Sequence, residues 1–392
     1  MIYIGSLLLC LFFAWMYDIL GYTKNKWHWY YLLMVWFIAI SGFQYMVGTD
    51  MPVYMDEYNK LYNELNFNIG DQEGKRQPGW VLLCYGCRQI TDDFTLLKLI
   101  QATFVNIAIF SFFKRESKYV FCCITLYALT SYLLINFNIL RQGIALGFIL
   151  YFISFYRQKR YVLSALFVFL AYMFHNATLV ALIIPVFGII KYSKKMLLGL
   201  GFLTIILVYI ILKMDLETMF NSIFEGEYLS EGMSEVGNIY VNSERLGVQE
   251  AKVGVVRIFR VVAIFIVTLY YIVKKKDIYL GGIALTYLLF LVFSFVFPIM
   301  FRFGTFFELS FYVVLSSVVI EYPLGRFYQI RRVFYIFAFL IYSFFPYREY
   351  MAKYPSSKYR YIDQYYPYHS VLNPDPEDAI DREKMMFFNY NI

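Results

Sequence analysis

Charge is scarce in this chain. Asp, Glu, Lys and Arg make up 16% of the 392 residues while 60% are hydrophobic; an average soluble domain carries roughly 25% charged residues. A soluble core has no room for that much apolar side chain, so a water-soluble globular enzyme is excluded. Glycine-rich phosphate loops are missing too. Neither a Walker A sequence nor a dinucleotide fingerprint occurs, so any reaction must draw on a substrate activated by its own leaving group. Histidine is rare, with 3 in all, and there is no HExxH, no DxD in an external loop and no His/carboxylate cluster at ligand spacing. No metal and no cofactor are expected. The 5 cysteines are an odd number lying mostly inside apolar segments. Cys84 and Cys87 form a CxxC, but without the strand-then-helix setting of a redox motif or a second ligand pair, so they read as small packing residues. Internal repeats, low-complexity runs and a soluble catalytic domain are likewise absent.

What the chain does have is a series of apolar runs near the roughly 20 residues needed to cross a bilayer. The expected fold class is therefore all-α, a polytopic integral membrane protein; a β-barrel would show alternating segments of about ten residues instead. Twelve spans are expected, at 2–20, 29–47, 94–113, 119–136, 138–156, 161–175, 177–190, 196–213, 256–273, 278–297, 302–320 and 333–346. The first has no basic region before it and no small-residue cleavage site after it, so it reads as a retained span. The net charge of +7 does not imply a nucleic-acid partner, because Lys and Arg sit in short clusters between spans. Lys24/Lys26, Lys114/Arg115/Lys118, Arg157/Lys159/Arg160, Lys191/Lys194/Lys195, Lys274/Lys275/Lys276 and Arg326/Arg331/Arg332 fall on one side if every span crosses. The positive-inside rule makes that side the cytoplasm.

Residues 1–346 then form one membrane domain with large external loops at 48–93 and 214–255, the second strongly acidic, and 347–392 form an external, polar, Tyr-rich tail. This topology requires 78–90, "PGWVLLCYGCRQI", to be re-entrant or interfacial. Spans 161–175 and 177–190 meet at His175-Asn176 as a tight hairpin or a broken helix at the outer face.

Several polar residues interrupt this pattern at the outer level. Asn138, Arg141 and Gln142 follow i, i+3, i+4 spacing, which places them on one helix face. Arg141 can snorkel, yet an Arg inside a span costs at least about 2.5 kcal/mol and usually lines a cavity. Two polar neighbours on its face favour the cavity. "GTDMPVY" leaves the second span through Gly48, Thr49 and Asp50, with Tyr54 closing the motif. Asp50 is either a carboxylate fixed at the membrane surface or an Asx-turn or N-cap residue. His175, the one histidine between two spans, is either a cap or a base and hydrogen-bond donor. Arg257 and Arg260 share a face at the start of one span, and Arg302 follows Pro298 at the start of another, with Glu308 deeper as a candidate counter-ion. Each arginine alone reads as a snorkelling anchor. Together they suit an anionic ligand in the outer leaflet, since guanidinium groups bind phosphate bidentately.

Taken in order, "GTDMPVY", "NILRQGIALGFILY", "FHNATLVAL", "FRFGTFFEL" and "YYPYHSVL" resemble the EpsG-like family, grouped with Wzy-type polysaccharide polymerases. The resemblance runs from about residue 40 into the C-terminal tail, and GTD…Y followed by N-x-x-RQ-x-I-A is its more specific part. It implies a polymerase that joins oligosaccharide repeat units carried on a polyprenyl diphosphate, at the outer face of the inner (plasma) membrane, in capsule, exopolysaccharide or O-antigen assembly. It also implies kinship with membrane glycosyltransferases of the GT-C class. The expected partners are the lipid-linked glycan, the lipid bilayer, and a chain-length regulator and flippase of the same pathway. In one departure, the family pattern has an acidic residue before the Pro-Gly that here follows Gln77, so no carboxylate base is expected there.

Transfer from a lipid diphosphate needs cations for the departing diphosphate and a group to deprotonate or orient the acceptor hydroxyl. Arg141, Arg257 and Arg302 suit the first role, and Asp50 or His175 the second. Asn138, Gln142, Arg260 and Tyr54 are candidate binding residues. A flippase for the same lipid, an O-antigen ligase and, through His175-Asn176, a membrane O-acyltransferase are the alternatives. A transporter should show repeats and cations spread through the depth of a cavity, whereas the cations here are biased to one face.

Overall fold

Backbone amides in a long apolar run find no water to bond, so they bond within the run and make it helical. A computed structural model of the protein describes residues 2–68, 70–71, 74–213, 255–321, 350–353 and 359–390. The expected span 333–346 and nearly all of the acidic loop 214–255 lie outside those residues. The described chain is helical apart from one two-residue hairpin, Gly70–Asp71 with Gly74–Lys75. It packs as two units: residues 1–67, 77–176 and 316–389 form the first, and 68–76, 177–315 and 390–392 the second.

The first unit contains α1 (Ile2–Phe13), α2 (Lys26–Gly42), α3 (Met51–Leu61), α4 (Pro78–Arg88), α5 (Phe94–Glu116), α6 (Val120–Thr130), α7 (Tyr132–Phe137), α8 (Leu140–Arg157) and α9 (Tyr161–Tyr172). The second contains a 3-10 segment (Asn176–Ile183, its first residue belonging to the first unit), α10 (Ile184–Ile189), α11 (Lys194–Lys213), α12 (Val255–Lys275), α13 (Ile278–Phe293) and most of α14 (Met300–Glu321). A final helix, α15 (Pro376–Tyr390), ends the described chain.

Helical breaks, which apolar composition does not reveal, keep these elements from matching the expected spans one for one. Among the described residues three helices are long and apolar enough to cross a membrane: Ile2–Ile19, Phe94–Glu116 and Met300–Glu321. Val120–Thr130, Tyr161–Tyr172, Asn176–Ile189, Gly199–Ile210 and Ile278–Phe293 are shorter apolar helices. The expected span 119–136 divides at Ser131 into α6 and α7, and the expected span 138–156 starts as a helix only at Leu140. α4 has 11 residues, about 16 Å at 1.5 Å per residue, against a bilayer core of about 30 Å. Cys84 and Cys87 are buried on it, and burial raises the Cys87 thiol pKa, which keeps it protonated and inert.

Within the first unit the basic connections gather at one end. α1 passes into a π-helical turn, Ala14–Ile19, and its Asp18 carboxylate, fully buried, accepts from Lys26 Nζ at 3.2 Å and from the Cys122 amide at 2.9 Å. Lys26 Nζ also reaches the Lys118 carbonyl, Lys114 Nζ donates to Tyr31 Oη at 2.6 Å, and Arg157 pairs with Glu116 at 2.7 Å. Helices α2, α5 and α8 therefore share one basic end, and the C-terminus of α2 and N-termini of α5 and α8 share the other.

That second end is closed by the C-terminal segment. Residue 45 donates its amide to the His369 carbonyl at 2.9 Å, Val371 donates to the Phe43 carbonyl at 2.9 Å, and Gly48 donates to the Gln364 carbonyl at 2.9 Å. Tyr368 Oη donates to the Ile40 carbonyl at 3.0 Å. Arg382 on α15, 1% exposed, donates to the Met46 carbonyl at 3.1 Å, to the Asp378 carboxylate at 2.6 Å and to the Pro367 carbonyl. Burial lowers the Arg382 pKa while Asp378 opposes the shift. The segment expected to be an external tail is, where described, a folded part of the first unit.

Loss of the buried guanidinium would remove the arginine partner of the Asp378 carboxylate and leave the Met46 and Pro367 carbonyls without this donor. Arg382→Met is expected to cost about 2 kcal/mol and to loosen α15 from the 43–50 turn. The readout is faster limited proteolysis between residues 371 and 376, with a lower midpoint of thermal unfolding.

Candidate functional site

The turn after α2 is built around Gly48. Its φ of +104° suits glycine, and a Cβ there would lie 2.3 Å from the Phe137 carbonyl oxygen and 2.4 Å from Asn138 Oδ1. The chain can therefore pass against the α7–α8 break only with hydrogen at this position. Thr49 and Asp50 follow directly. Asp50 holds the N-cap position of α3, but its carboxylate does not cap the helix; instead Oδ1 accepts from Thr49 Oγ1 at 3.1 Å. The turn is thus held by its backbone and by Thr49, and the carboxylate is half-buried at its edge.

Against Gly48 lies the break between α7 and α8. Asn138 ends α7, Ile139 is non-helical at φ −89° and ψ 59°, and α8 begins at Leu140. Asn138 is therefore not on the helix face of Arg141 and Gln142, as i, i+3, i+4 spacing implied: the break rotates it away. Its Nδ2 donates to Gln364 Oε1 at 2.8 Å and to Tyr365 Oη at 3.0 Å. Gln364 Oε1 also accepts from Thr49 Oγ1 at 3.3 Å. Arg141 and Gln142 occupy the first turn of α8 and are buried, where the positive end of the helix dipole adds to the guanidinium charge.

Helix α4 brings a third strand of contacts to the same place. Pro78 starts it without needing an amide donor, and Gln77 just before it accepts from Arg141 Nη1 at 3.2 Å through Oε1. Gly79 donates its amide to the Met173 carbonyl at 2.7 Å, and a Cβ there would be 2.7 Å from that oxygen. This close approach docks the start of α4 on the end of α9, where His175 follows, half-buried, with its amide bonded to the Ala171 carbonyl at 3.0 Å. Tyr54 on α3 packs edge-on to Trp80 on α4, with ring centroids 5.5 Å apart. Asp50, Tyr54, Asn138, Arg141, Gln142 and His175 all lie in the first unit, at the ends of elements tied together by these contacts. Gln364 and Tyr365, which bind them together, were missed as site residues. The motif "YYPYHSVL" begins at Tyr365 and says nothing of what it touches, and Gln364, just before it, carried no signal.

Arg257, Arg260 and Arg302 belong to the second unit. Arg257 lies over the Phe295 ring, 5.2 Å from its centroid. Arg260 donates to Tyr287 Oη at 3.2 Å, and Tyr287 donates to Glu308 Oε1 at 3.2 Å. Glu308, expected as a counter-ion, thus reaches Arg260 through a tyrosine hydroxyl. Arg302 is half-buried in the first turn of α14. Among the described residues no three His, Cys, Asp or Glu side chains are grouped to hold a metal ion.

The first unit thus holds a guanidinium at the start of α8, a carboxylate at the start of α3 and an imidazole after α9, with Asn, Gln, Thr and Tyr side chains among the contacts that link these elements. The EpsG family model matches residues 27–370, most of the chain and all of these elements. The chain belongs to the EpsG family. EpsG is a family of Wzy-like polymerases, and with its apolar helices this makes the chain a membrane protein of polysaccharide biosynthesis. Comparison with curated proteins and with solved structures gives no match. Within this EpsG protein the two specific motifs of the sequence, GTD…Y and N-x-x-RQ, are in contact through Gly48 and the 137–138 backbone.

Gly48→Ala is expected to destabilise the protein by at least about 1–3 kcal/mol, from a left-handed backbone plus a steric clash. Gly86→Ala, where α4 leaves nothing within 4 Å of the added Cβ, should be neutral or stabilising by up to about 1 kcal/mol. Thermal unfolding of the two variants in detergent separates them; equal melting temperatures would contradict the packing at Gly48.

Proposed function

We propose that this EpsG protein is a polymerase joining polyprenyl-diphosphate-linked oligosaccharide repeat units, with Arg141 as the group that receives the departing diphosphate. The observation that carries the reading is the placement of Arg141. It sits buried in the first turn of α8, where helix dipole and guanidinium add, and a neutral amide, Gln77, orients it at 3.2 Å. A carboxylate in place of Gln77 would cancel the charge that a diphosphate needs.

In this reading the bond from the anomeric carbon to the diphosphate oxygen breaks and a bond to the acceptor hydroxyl oxygen forms. The diphosphate leaves with its electron pair, stabilised by Arg141 and the α8 N-terminus. The hydroxyl proton passes to Asp50 or His175, and Asn138, Gln142 and Tyr54 position the glycan. Arg257, Arg260 and Arg302 are proposed to bind anionic parts of the lipid-linked substrate. No step needs a metal ion or cofactor, so the proposed activity is a metal-independent glycosyl transfer.

The gathering of basic residues at one end of the first unit supports a cytoplasmic position for that end by the positive-inside rule, and with it a proposed site of Asp50 and Arg141 at the outer face of the inner (plasma) membrane. A twelve-pass arrangement related to the GT-C glycosyltransferases accommodates this, with α4 not crossing. The flippase and chain-length regulator of a capsule, exopolysaccharide or O-antigen pathway are the proposed partners.

The test is the glycan profile of a deletion strain carrying wild type, Arg141→Ala, Arg141→Lys or Asp50→Asn, with membrane levels matched. Deletion should leave single repeat units on the outer-face lipid or the cell surface. Arg141→Ala should reduce polymer formation by about 100- to 1,000-fold, with Arg141→Lys intermediate because it keeps charge without the planar fork. Lipid-linked units trapped on the cytoplasmic side would mark a flippase instead.

A further inference from the structure

A cavity of about 300 Å³ lies within the first unit, with Met46 and Met51, which flank the turn that carries Asp50, in its wall. That is the lower end of the roughly 300–1,000 Å³ range of small-molecule sites. Met51 and Gln44 in its lining are buried, Phe94 is half-buried, and Asn59, Asp92 and Asp93 are exposed at its rim.

Four polar side chains of this lining keep hydrogen-bonding capacity. Gln44 is 4% exposed; its Oε1 accepts from the Val47 amide at 2.6 Å, and its Nε2 has no partner among the described residues. That nitrogen is not sealed inside the protein, so its free N–H groups open on the space that Gln44 lines. The side-chain amide of Asn59 makes no bond among the described residues, since Arg88 reaches only its backbone carbonyl. Asp93 Oδ1 caps α5 by accepting from the Thr95 amide at 2.8 Å and Asp92 Oδ1 pairs with Arg88 at 3.2 Å, which leaves one oxygen of each carboxylate. Lys98, also in the lining, brings no spare donor: its Nζ donates to Gln101 Oε1 at 3.0 Å and to the Asn136 carbonyl at 2.6 Å and lies 5.9 Å from the centre of the Phe137 ring.

We propose that this cavity is a subsite for an uncharged sugar ring of the glycan, remote from its diphosphate. The inference rests on the polymerase reading and names its substrate class: repeat units that present a neutral hexose or N-acetylhexosamine here. A hydroxyl both donates and accepts, so a pyranose accepts from the Gln44 amide while donating to the rim carboxylates and Asn59. Phe94 and the methionines offer an apolar surface to its C–H faces. Other ligand classes leave part of the lining unmatched. A phosphate or carboxylate meets Asp92 and Asp93 with no cation to offset them, an ammonium group cannot accept from Gln44, and an alkyl chain leaves that amide unbonded.

Saturation-transfer NMR on the full-length protein in nanodiscs tests this with methyl glycosides of glucose, galactose, mannose and N-acetylglucosamine, beside those of glucuronic acid and glucosamine. At least one neutral glycoside should bind, and the two charged ones more weakly by about tenfold or more. Gln44→Glu keeps an oxygen for the Val47 amide and replaces the free N–H groups, so the neutral glycoside should bind about tenfold more weakly. Asn59→Ala, at an exposed position, should weaken binding about two- to tenfold, and it decides alone where Gln44→Glu does not fold. No neutral glycoside bound by wild type, or binding unchanged in the folded variants, overturns the proposal. Preference for the glucuronide or the glucosaminide also overturns it, marking an anion or a cation site instead.

Composition of the glycan lost on deletion gives an independent arm. A neutral sugar in every repeat supports the inference, and a polymer made only of charged sugars sinks it while leaving the polymerase reading intact. A polymer unaffected by deletion defeats the polymerase reading, and the assignment of the cavity as its subsite falls with it even where the cavity binds sugar.

Discussion

A break in an apolar helix exposes backbone and side-chain polar groups where no water can meet them, and the α7–α8 break at Asn138 is the point on which the first unit turns. Gln364 resolves it. Its backbone carbonyl accepts from Gly48 at 2.9 Å, and its side-chain oxygen accepts from Asn138 at 2.8 Å and from Thr49 at 3.3 Å. One residue of the C-terminal segment thereby joins the turn after α2 to the start of α8. Its own Nε2 is satisfied by the Tyr361 carbonyl at 2.8 Å. In a low-dielectric surround each of these bonds is strong when made and costly when lost, so turn, break and C-terminal segment hold as a set.

That set explains how a charged side chain can sit in the first turn of a buried helix. The break lets α8 begin at Leu140, so Arg141 stands at a helix N-terminus and not in the middle of a span. Gln77 then orients the guanidinium without neutralising it. An acidic residue at this position would exchange anion affinity for stability, because a buried ion pair satisfies both partners internally. Gln77 itself brings no opposing charge to the guanidinium.

Much of the helical framework was legible because apolar length and a polar boundary coincide. The expected span 94–113 lies within Phe94–Glu116, whose start is fixed by the Asp93 cap and whose end is marked by Lys114 and Arg115. The boundary expected between 161–175 and 177–190 is there too: α9 ends at Tyr172 and a 3-10 segment starts at Asn176. The boundary expected at 137, between spans 119–136 and 138–156, lies beside the break at Asn138 and Ile139, but the interruption at Ser131 was not legible because the apolar run is continuous there, and the resumption of helix only at Leu140 was not either. For the same reason Asn138 was grouped with Arg141 by helical spacing. Polar character marked the 347–392 segment as a tail, and the hydrogen bonds that join it to the backbone of residues 40–48 are ones that sequence pattern does not identify.

The same break also reaches the interior of the unit. Asn136, two residues before it, closes a fully buried ring: Asn106 Nδ2 donates to Asn136 Oδ1 at 2.9 Å, Asn136 Nδ2 to Tyr127 Oη at 2.6 Å, and Tyr127 Oη to Asn106 Oδ1 at 3.3 Å. The ring fixes α7 against α5 and α6 and leaves the Asn136 carbonyl to accept from Lys98 at 2.6 Å. Asn136 and Asn138, two residues apart, therefore anchor two separate polar networks at one short helix end. Lys98 joins the inner network through the Asn136 carbonyl and donates also to Gln101 Oε1 at 3.0 Å. The position of the break is thereby set from both sides, by the inner ring through Asn136 and by the C-terminal segment through Asn138.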